Sequence, residues 1–166
     1  AHPNEDNPLM KISQVIEKIK NISFDKNSPL LGPVKITLSQ INAGNQHNVV
    51  PSEVKMVLDV RVNECYKNSE INNLIVSSLP CDVKARSLHL ESSSIDENHA
   101  LVIAGKKLGR STYGSPTLSD QAALSCPSLK LGPGDSKRSH TADEFIYIHE
   151  IEEGIKLYID LLKQIL

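Results

Sequence analysis

The sequence contains no tryptophan, and Phe and Tyr together supply only 4% of its residues. Stacking platforms for nucleobases or sugar rings are therefore scarce. Charge of either sign is not in excess: 18 Lys and Arg stand against 20 Asp and Glu in 166 residues, a formal net charge of -2. Phosphate neutralisation requires a basic excess or stripe, so nucleic acid is excluded as an expected partner. No apolar run approaches the roughly 20 residues that span a bilayer, and no charged-then-apolar segment opens the chain. A cytoplasmic protein without a membrane partner is expected. Cysteine is sparse as well. Cys65, Cys81 and Cys126 are odd in number, far apart and in no CxxC pattern, which argues against a disulfide framework or a thiolate metal site. What is there suffices for a core without surplus, with 39% hydrophobic residues. The opening Ala1-His2-Pro3, without an initiator Met, reads as cut or processed from something longer, and the pattern that follows favours two small domains.

Asn7 is a good N-cap and Pro8 suits a first helical position, while Ile12, Val15, Ile16, Ile19 and Ile22 recur at helical spacing. A helix with one buried face is predicted. Val34, Ile36 and Leu38, then Val54, Met56, Leu58, Val60 and Val62, alternate with polar residues as half-buried strands do. The Gly- and Asn-rich residues 41–51 form the loop between them. A second helix starts near Ser69, faces Ile71, Leu74, Ile75 and Leu79 inward, and stops at Pro80; residues 83–90 return as a strand. Helix, strand, strand, helix, strand makes a ferredoxin-like split β-α-β unit whose first strand is missing, a further sign of truncation.

The serine-rich residues 91–94 mark a boundary, after which the grammar becomes α/β. Asp96 caps a helix carrying Leu101, Ala104 and Leu108 and closed by Gly109. A loop over 114–121, a brief strand at 128–131 and a Gly/Pro-rich loop over 132–145 lead to a last helix expected to bury Ile151, Ile155, Tyr158, Ile159, Leu162 and Ile165. The expected domains are therefore 1–94 and 95–166.

Several motifs carry little. Residues 105–111 contain Gly, Lys and Ser without P-loop spacing, and Ser119, Asp120 and His140 lack the GxSxG setting of a hydrolase nucleophile. His89 and His99 read as exposed or locally bonded. His140 differs, because it sits in a Gly/Pro-rich loop before a helix with Asp143 and Glu144 just beyond, a metal-binding nitrogen beside supporting carboxylates. The alternative is a loop histidine followed by acids that favour a helix N-terminus. Asn48 and Arg61 form a second candidate, since a guanidinium on the polar strand face can clamp a carboxylate. Its alternative is an exposed pair with Asp59, two residues away on the same face.

Taken together, residues 44–53 (GlyAsnGlnHisAsnValValProSerGlu) with AspValArg at 59–61, ProThrLeuSerAspGlnAlaAla at 116–123, LeuGlyProGly at 131–134 and SerHisThrAlaAspGluPhe at 139–145 resemble the dinuclear-zinc amidohydrolases. That family includes acetylornithine deacetylase, succinyl-diaminopimelate desuccinylase, aminoacylases and carboxypeptidase G-type enzymes. The resemblance covers nearly the whole chain, and its C-terminal wording is most similar to the acetylornithine, acetylcitrulline or succinylornithine deacylases.

The resemblance implies an α+β lid that makes the homodimer contact, followed by the C-terminal α/β part of the catalytic domain. It implies that His140 is a zinc ligand with Glu144 as the supporting acid after it. His2 corresponds to the lid histidine that stabilises the oxyanion in the partner subunit's site. Asn48 and Arg61 correspond to substrate contacts, and Ser115, Asp120, Asp135 and Ser136 line or support the pocket. Leu118 stands where the desuccinylases carry a Thr. Two zinc ions, with cobalt as an alternative, would serve the intact enzyme, but its HisxAsp motif, bridging Asp and GluGlu pair have no counterpart here. The expectation is a fragment of an arginine-biosynthesis deacylase acting on N-acyl amino acids and inactive by itself. A noncatalytic dimerisation or binding module, and a parent that is a desuccinylase or dipeptidase, stay open.

Overall fold

The computed structural model describes residues 6–166, so His2 lies outside the described residues. The chain divides into two compact units, one running through Ser92 and including Ser115–Thr117, the other made of Ser93–Gly114 and Leu118–Leu166.

In the first unit, α1 spans Pro8–Lys20. The Asn7 side chain accepts from the Leu9 amide at 3.0 Å, and Pro8 occupies a position whose N–H would have no helical partner. Ile19 is its buried residue, on the stripe that the spacing predicts. β1 (Lys35–Ala43) and β2 (Val54–Arg61) pair antiparallel, with Lys35 opposite Arg61 and Ala43 opposite Val54. A bulge between Leu38 and Gln40 interrupts the register, and Ser39 there donates its hydroxyl to the Val57 carbonyl at 3.1 Å. α2 spans Asn68–Ser78 and buries Ile71 and Ile75, four residues apart on one face. With Val34 and Tyr66 they form the core, flanked by Phe24, Ile36, Leu58 and Val60. Burying each such aliphatic side chain stabilises the fold by about 1.5–3 kcal/mol. Leu74, expected inward, is exposed.

The expected strand over 83–90 does not form. A strand needs a ladder partner, and among the described residues β1 and β2 pair only with each other. The carbonyls of Leu88 and Leu90 instead accept from the Asn68 side-chain amide at 3.3 and 2.8 Å. The sheet of this unit is thus two-stranded, narrower than the sheet of a split β-α-β unit.

In the second unit, α3 spans Ala100–Lys107 and buries Val102 and Ala104. Its cap is His99, whose ring Nδ1 accepts from the Leu101 amide at 3.3 Å; Asp96, the expected cap, accepts instead from Asn98 in the preceding turn. Gly109, at φ 76°, lets Arg110 donate back to the Gly105 carbonyl and close the helix. Short 3-10 turns occupy Asp120–Ala123 and Ser136–Arg138, and α4 spans Ile148–Leu162. The strand expected at residues 128–131 does not form, and the Leu131 carbonyl accepts the Tyr158 hydroxyl.

α4 turns Gly154 and Leu161 inward. The residues expected to be buried, Ile151, Ile155, Tyr158, Ile159, Leu162 and Ile165, are exposed instead. α3 meets α4 within this unit at Leu161, where Gly105 leaves room, and one short helix does not cover a stripe of that width.

Candidate functional site

The candidate residues converge most closely on the loop that precedes α4. Gly134, at φ 79°, turns the chain past Ile146, whose side chain would lie 3.2 Å from any added Cβ. Asp135 then accepts from the Lys137 amide at 2.9 Å and caps the 3-10 turn that begins with Ser136. The turn delivers Arg138 inward. Its guanidinium pairs with Glu150 and lies over the rings of Phe145 and Tyr147, at 4.9 and 5.3 Å from their centroids.

Both charged side chains are largely covered, at 18% and 20% exposed, and the Arg138 Nε is buried without an acceptor. The guanidinium hydrogen bond holds the Glu150 carboxyl below the usual carboxylate range, helped by the Tyr147 amide that donates to it at 2.9 Å. The same pairing pushes Arg138 up. Glu150 also lies in the first turn of α4, where its negative charge suits the helix N-terminus.

His140 follows at φ 60°, the left-handed region, and among the described residues it is the sole non-glycine there. Such a conformation costs about 1–2 kcal/mol for an L-residue and has to be held by its surroundings. Glu144 supplies part of the restraint, accepting the His140 amide at 3.0 Å and the Ser139 hydroxyl at 3.3 Å. Thr141 adds a bond from its hydroxyl to the Arg138 carbonyl at 2.8 Å. The His140 imidazole is left exposed, while its neighbouring acid is committed to the loop backbone.

Asp135, Ser136, His140 and Glu144 therefore share one loop. Ser115 and Asp120 are exposed, with the Ser115 hydroxyl accepting from the Thr117 amide at 3.3 Å and Asp120 opening the first 3-10 turn. Asn48 is exposed in the loop between β1 and β2. Arg61 points both Nε and Nη2 at one oxygen of Asp59, at 3.1 and 2.9 Å. An exposed pair of this kind contributes at most about 1 kcal/mol, so a ligand carboxylate competes for that fork at little cost.

Sequence reasoning passed over Arg138 and Glu150. The one legible signal was an acid three residues after Tyr147, at the start of an apolar helical run. Among the described residues, no three His, Cys, Asp or Glu come together as a metal site. His140 offers one imidazole, and a zinc centre needs several protein ligands, so the described residues do not make one by themselves.

Residues 1–80 match a family model described as the peptidase dimerisation domain. The chain is 27% identical over 179 residues to a succinyl-diaminopimelate desuccinylase of Wolbachia pipientis subsp. Culex pipiens, covering 98% of this chain and 44% of that protein. It is 23% identical over 180 residues to a protein of the same name from Zymomonas mobilis, covering 100% of this chain and 48% of the relative. A third, from Nautilia profundicola, is 35% identical over 77 residues, covering 45% of this chain and 21% of the relative. The chain thus spans less than half the length of these curated relatives.

Proposed function

We propose that the chain is a member of the metallopeptidase family that includes the aminoacylases and desuccinylases, and within it the C-terminal portion of a longer, metal-dependent amidohydrolase. The observation that carries this reading is coverage: 98% of the chain aligns with 44% of one desuccinylase. In this reading residues 1–94 are the lid and residues 95–166 the last part of the catalytic domain. The lid brings two copies together as a homodimer, in keeping with the dimerisation domain matched over residues 1–80. In this reading the enzyme is cytoplasmic, as the near-neutral charge of the sequence suits a small zwitterionic substrate. Among the described residues no helix is long and apolar enough to cross a membrane.

The substrate is an N-acyl amino acid. The names of the relatives favour succinyl-diaminopimelate over the acetylornithine that the C-terminal wording of the chain favours, and they lend no support to a place in arginine biosynthesis. The acetylornithine reading rests on LeuGlyProGly at 131–134 and HisThrAlaAspGluPhe at 140–145.

A zinc pair, when bound in such an enzyme, polarises the acyl carbonyl and activates a water. The described residues do not assemble that pair, so no step of hydrolysis falls to this chain alone. His140 presents one imidazole, and Glu144 holds the backbone on which it sits. Asn48 and Arg61 offer an amide and a guanidinium to a substrate carboxylate, and the family resemblance assigns Ser115, Asp120, Asp135 and Ser136 as further substrate-contacting or supporting residues. His2 serves the oxyanion across the dimer.

The test is a substrate panel. The 166-residue chain with zinc should hydrolyse neither N-succinyl-diaminopimelate nor N-acetylornithine. The intact polypeptide should hydrolyse one of them, the succinyl compound preferentially, and lose that activity in His140→Ala. Turnover by the homogeneous 166-residue chain, or an intact polypeptide inert toward both compounds, would overturn the reading. Sedimentation of the chain as a monomer at tens of micromolar would sink the dimer.

A further inference from the structure

We propose that Arg138 and Glu150 are positioning residues, a clamp that closes the loop between them and holds His140 in the left-handed conformation from which its imidazole is presented. The functional weight of the clamp rests on the reading of His140 as a metal-binding side chain. Its geometry does not.

His140 occupies a conformation that an L-residue leaves unless its neighbours forbid it. Glu144 holds its amide directly, and two further residues close the loop around it. Arg138 fixes the upstream end three times: its guanidinium on Glu150, its plane over Phe145 and Tyr147, and its carbonyl under the Thr141 hydroxyl. Glu150 fixes the downstream end, because one carboxylate oxygen takes Arg138 while the other takes the Tyr147 amide at the start of α4. One ion pair therefore joins the turn that precedes His140 to the helix that follows it.

The Phe145 and Tyr147 rings meet edge to face, with centroids 5.2 Å apart, so the same guanidinium that closes the loop also rests on an aromatic floor made by the loop itself. Lysine cannot copy this, since it lacks the planar fork that satisfies a carboxylate and stacks on rings together. Glu144 completes the arrangement from inside, bonding to Ser139 and His140. Glu144 lies within the loop and cannot tie that loop to α4; the Arg138–Glu150 pair does.

The experiment uses the 166-residue chain with Arg138→Gln, Arg138→Lys and Glu150→Gln, read by backbone amide exchange and by the chemical shifts that report the φ of His140. In Arg138→Gln the His140 amide should exchange at least tenfold faster while the Val102 and Ala104 amides of α3 keep their rates, and the His140 φ should leave the positive region. Arg138→Lys and Glu150→Gln should fall between wild type and Arg138→Gln. If Arg138→Gln fails to fold, the ordering wild type, then Glu150→Gln and Arg138→Lys, carries the test. Unchanged exchange and φ at His140, or equal acceleration across α3 and the loop, would overturn the clamp. The reading of His140 as a ligand fails separately, if His140→Ala in the intact polypeptide leaves both hydrolysis and bound zinc as they were.

Discussion

The side-chain amide of Asn63 donates to the Gly32 carbonyl at 2.8 Å, joining the turn after β2 to the loop before β1. Asn63 is 1% exposed, and its side-chain oxygen accepts the Cys65 amide at 3.1 Å. Buried polar groups stripped of a partner cost about 1–3 kcal/mol each. Asn63→Ala should therefore lower the unfolding free energy of the first unit by about 2–4 kcal/mol. Asn63→Asp should do no better, because it keeps the acceptor but replaces the donor with a charge. Denaturant titration of both variants checks this, and a loss below about 0.5 kcal/mol would contradict it.

Acid should weaken the same unit through Glu70. The Lys67 amide, donating to its carboxylate at 2.8 Å, and then the Lys26 ammonium hold the Glu70 carboxyl below its ordinary value. A carboxyl lowered in the folded state adds stability above its unfolded value, about 4.3, and loses it as the pH falls through the lower folded one. Thermal midpoints should be insensitive to this group from pH 8 to about 5 and fall in stronger acid. Glu70→Gln should flatten part of that fall; an unchanged acid limb would refute the assignment.

Gly154→Ala should destabilise the second unit although alanine is the better helix former. The propensity gain is about 0.8–1 kcal/mol. Against it, the new Cβ would stand 2.9 Å from the Pro133 Cβ, on a ring with little freedom to move away. Overpacking of this kind costs about 1–3 kcal/mol, so a net loss of about 1 kcal/mol is expected. Adding Pro133→Gly, which removes the clashing Cβ, should make the cost of Gly154→Ala smaller than in the Pro133 background, and calorimetry of the two single variants and the double variant measures that difference.

The outward stripe of α4, with Ile148 77% and Ile155 58% exposed, should bind hydrophobic dyes in the 166-residue chain. The double variant Ile155→Glu, Ile159→Glu should reduce that fluorescence several-fold and leave far-ultraviolet circular dichroism unchanged. Equal dye binding in both proteins would mean that the stripe is covered in solution.

Most local elements of this molecule were legible because their causes are local. Asn7 and Pro8 announce α1, the alternation from Val54 to Val60 announces β2, and Gly109 announces the end of α3. The strands expected over 83–90 and 128–131 failed on a nonlocal requirement, since an extended segment becomes a strand only beside a partner ladder. His99 displaced Asp96 as the α3 cap because a ring nitrogen can accept at that position as a carboxylate does. On the candidate site, the loop placement of His140 and Glu144 could be read from spacing. The left-handed backbone at His140 and the ion pair that bridges its loop could not.

The sequence by itself determined where helices and half-buried strands begin, because capping, periodicity and alternation act over a few residues. It also carried the family resemblance, in short motifs whose residue types and order survive on paper. Only the tertiary structure decided which apolar faces are covered and which charges meet. Ile71 and Ile155 look alike as members of apolar stripes, yet one lies in a core and the other faces out. Arg138 and Glu150 are ordinary charges until the turn and α4 bring them together over two aromatic rings. The physical reason is common to both: burial and ion pairing are properties of neighbours in space, and periodicity records that a face needs a neighbour without saying which one arrives.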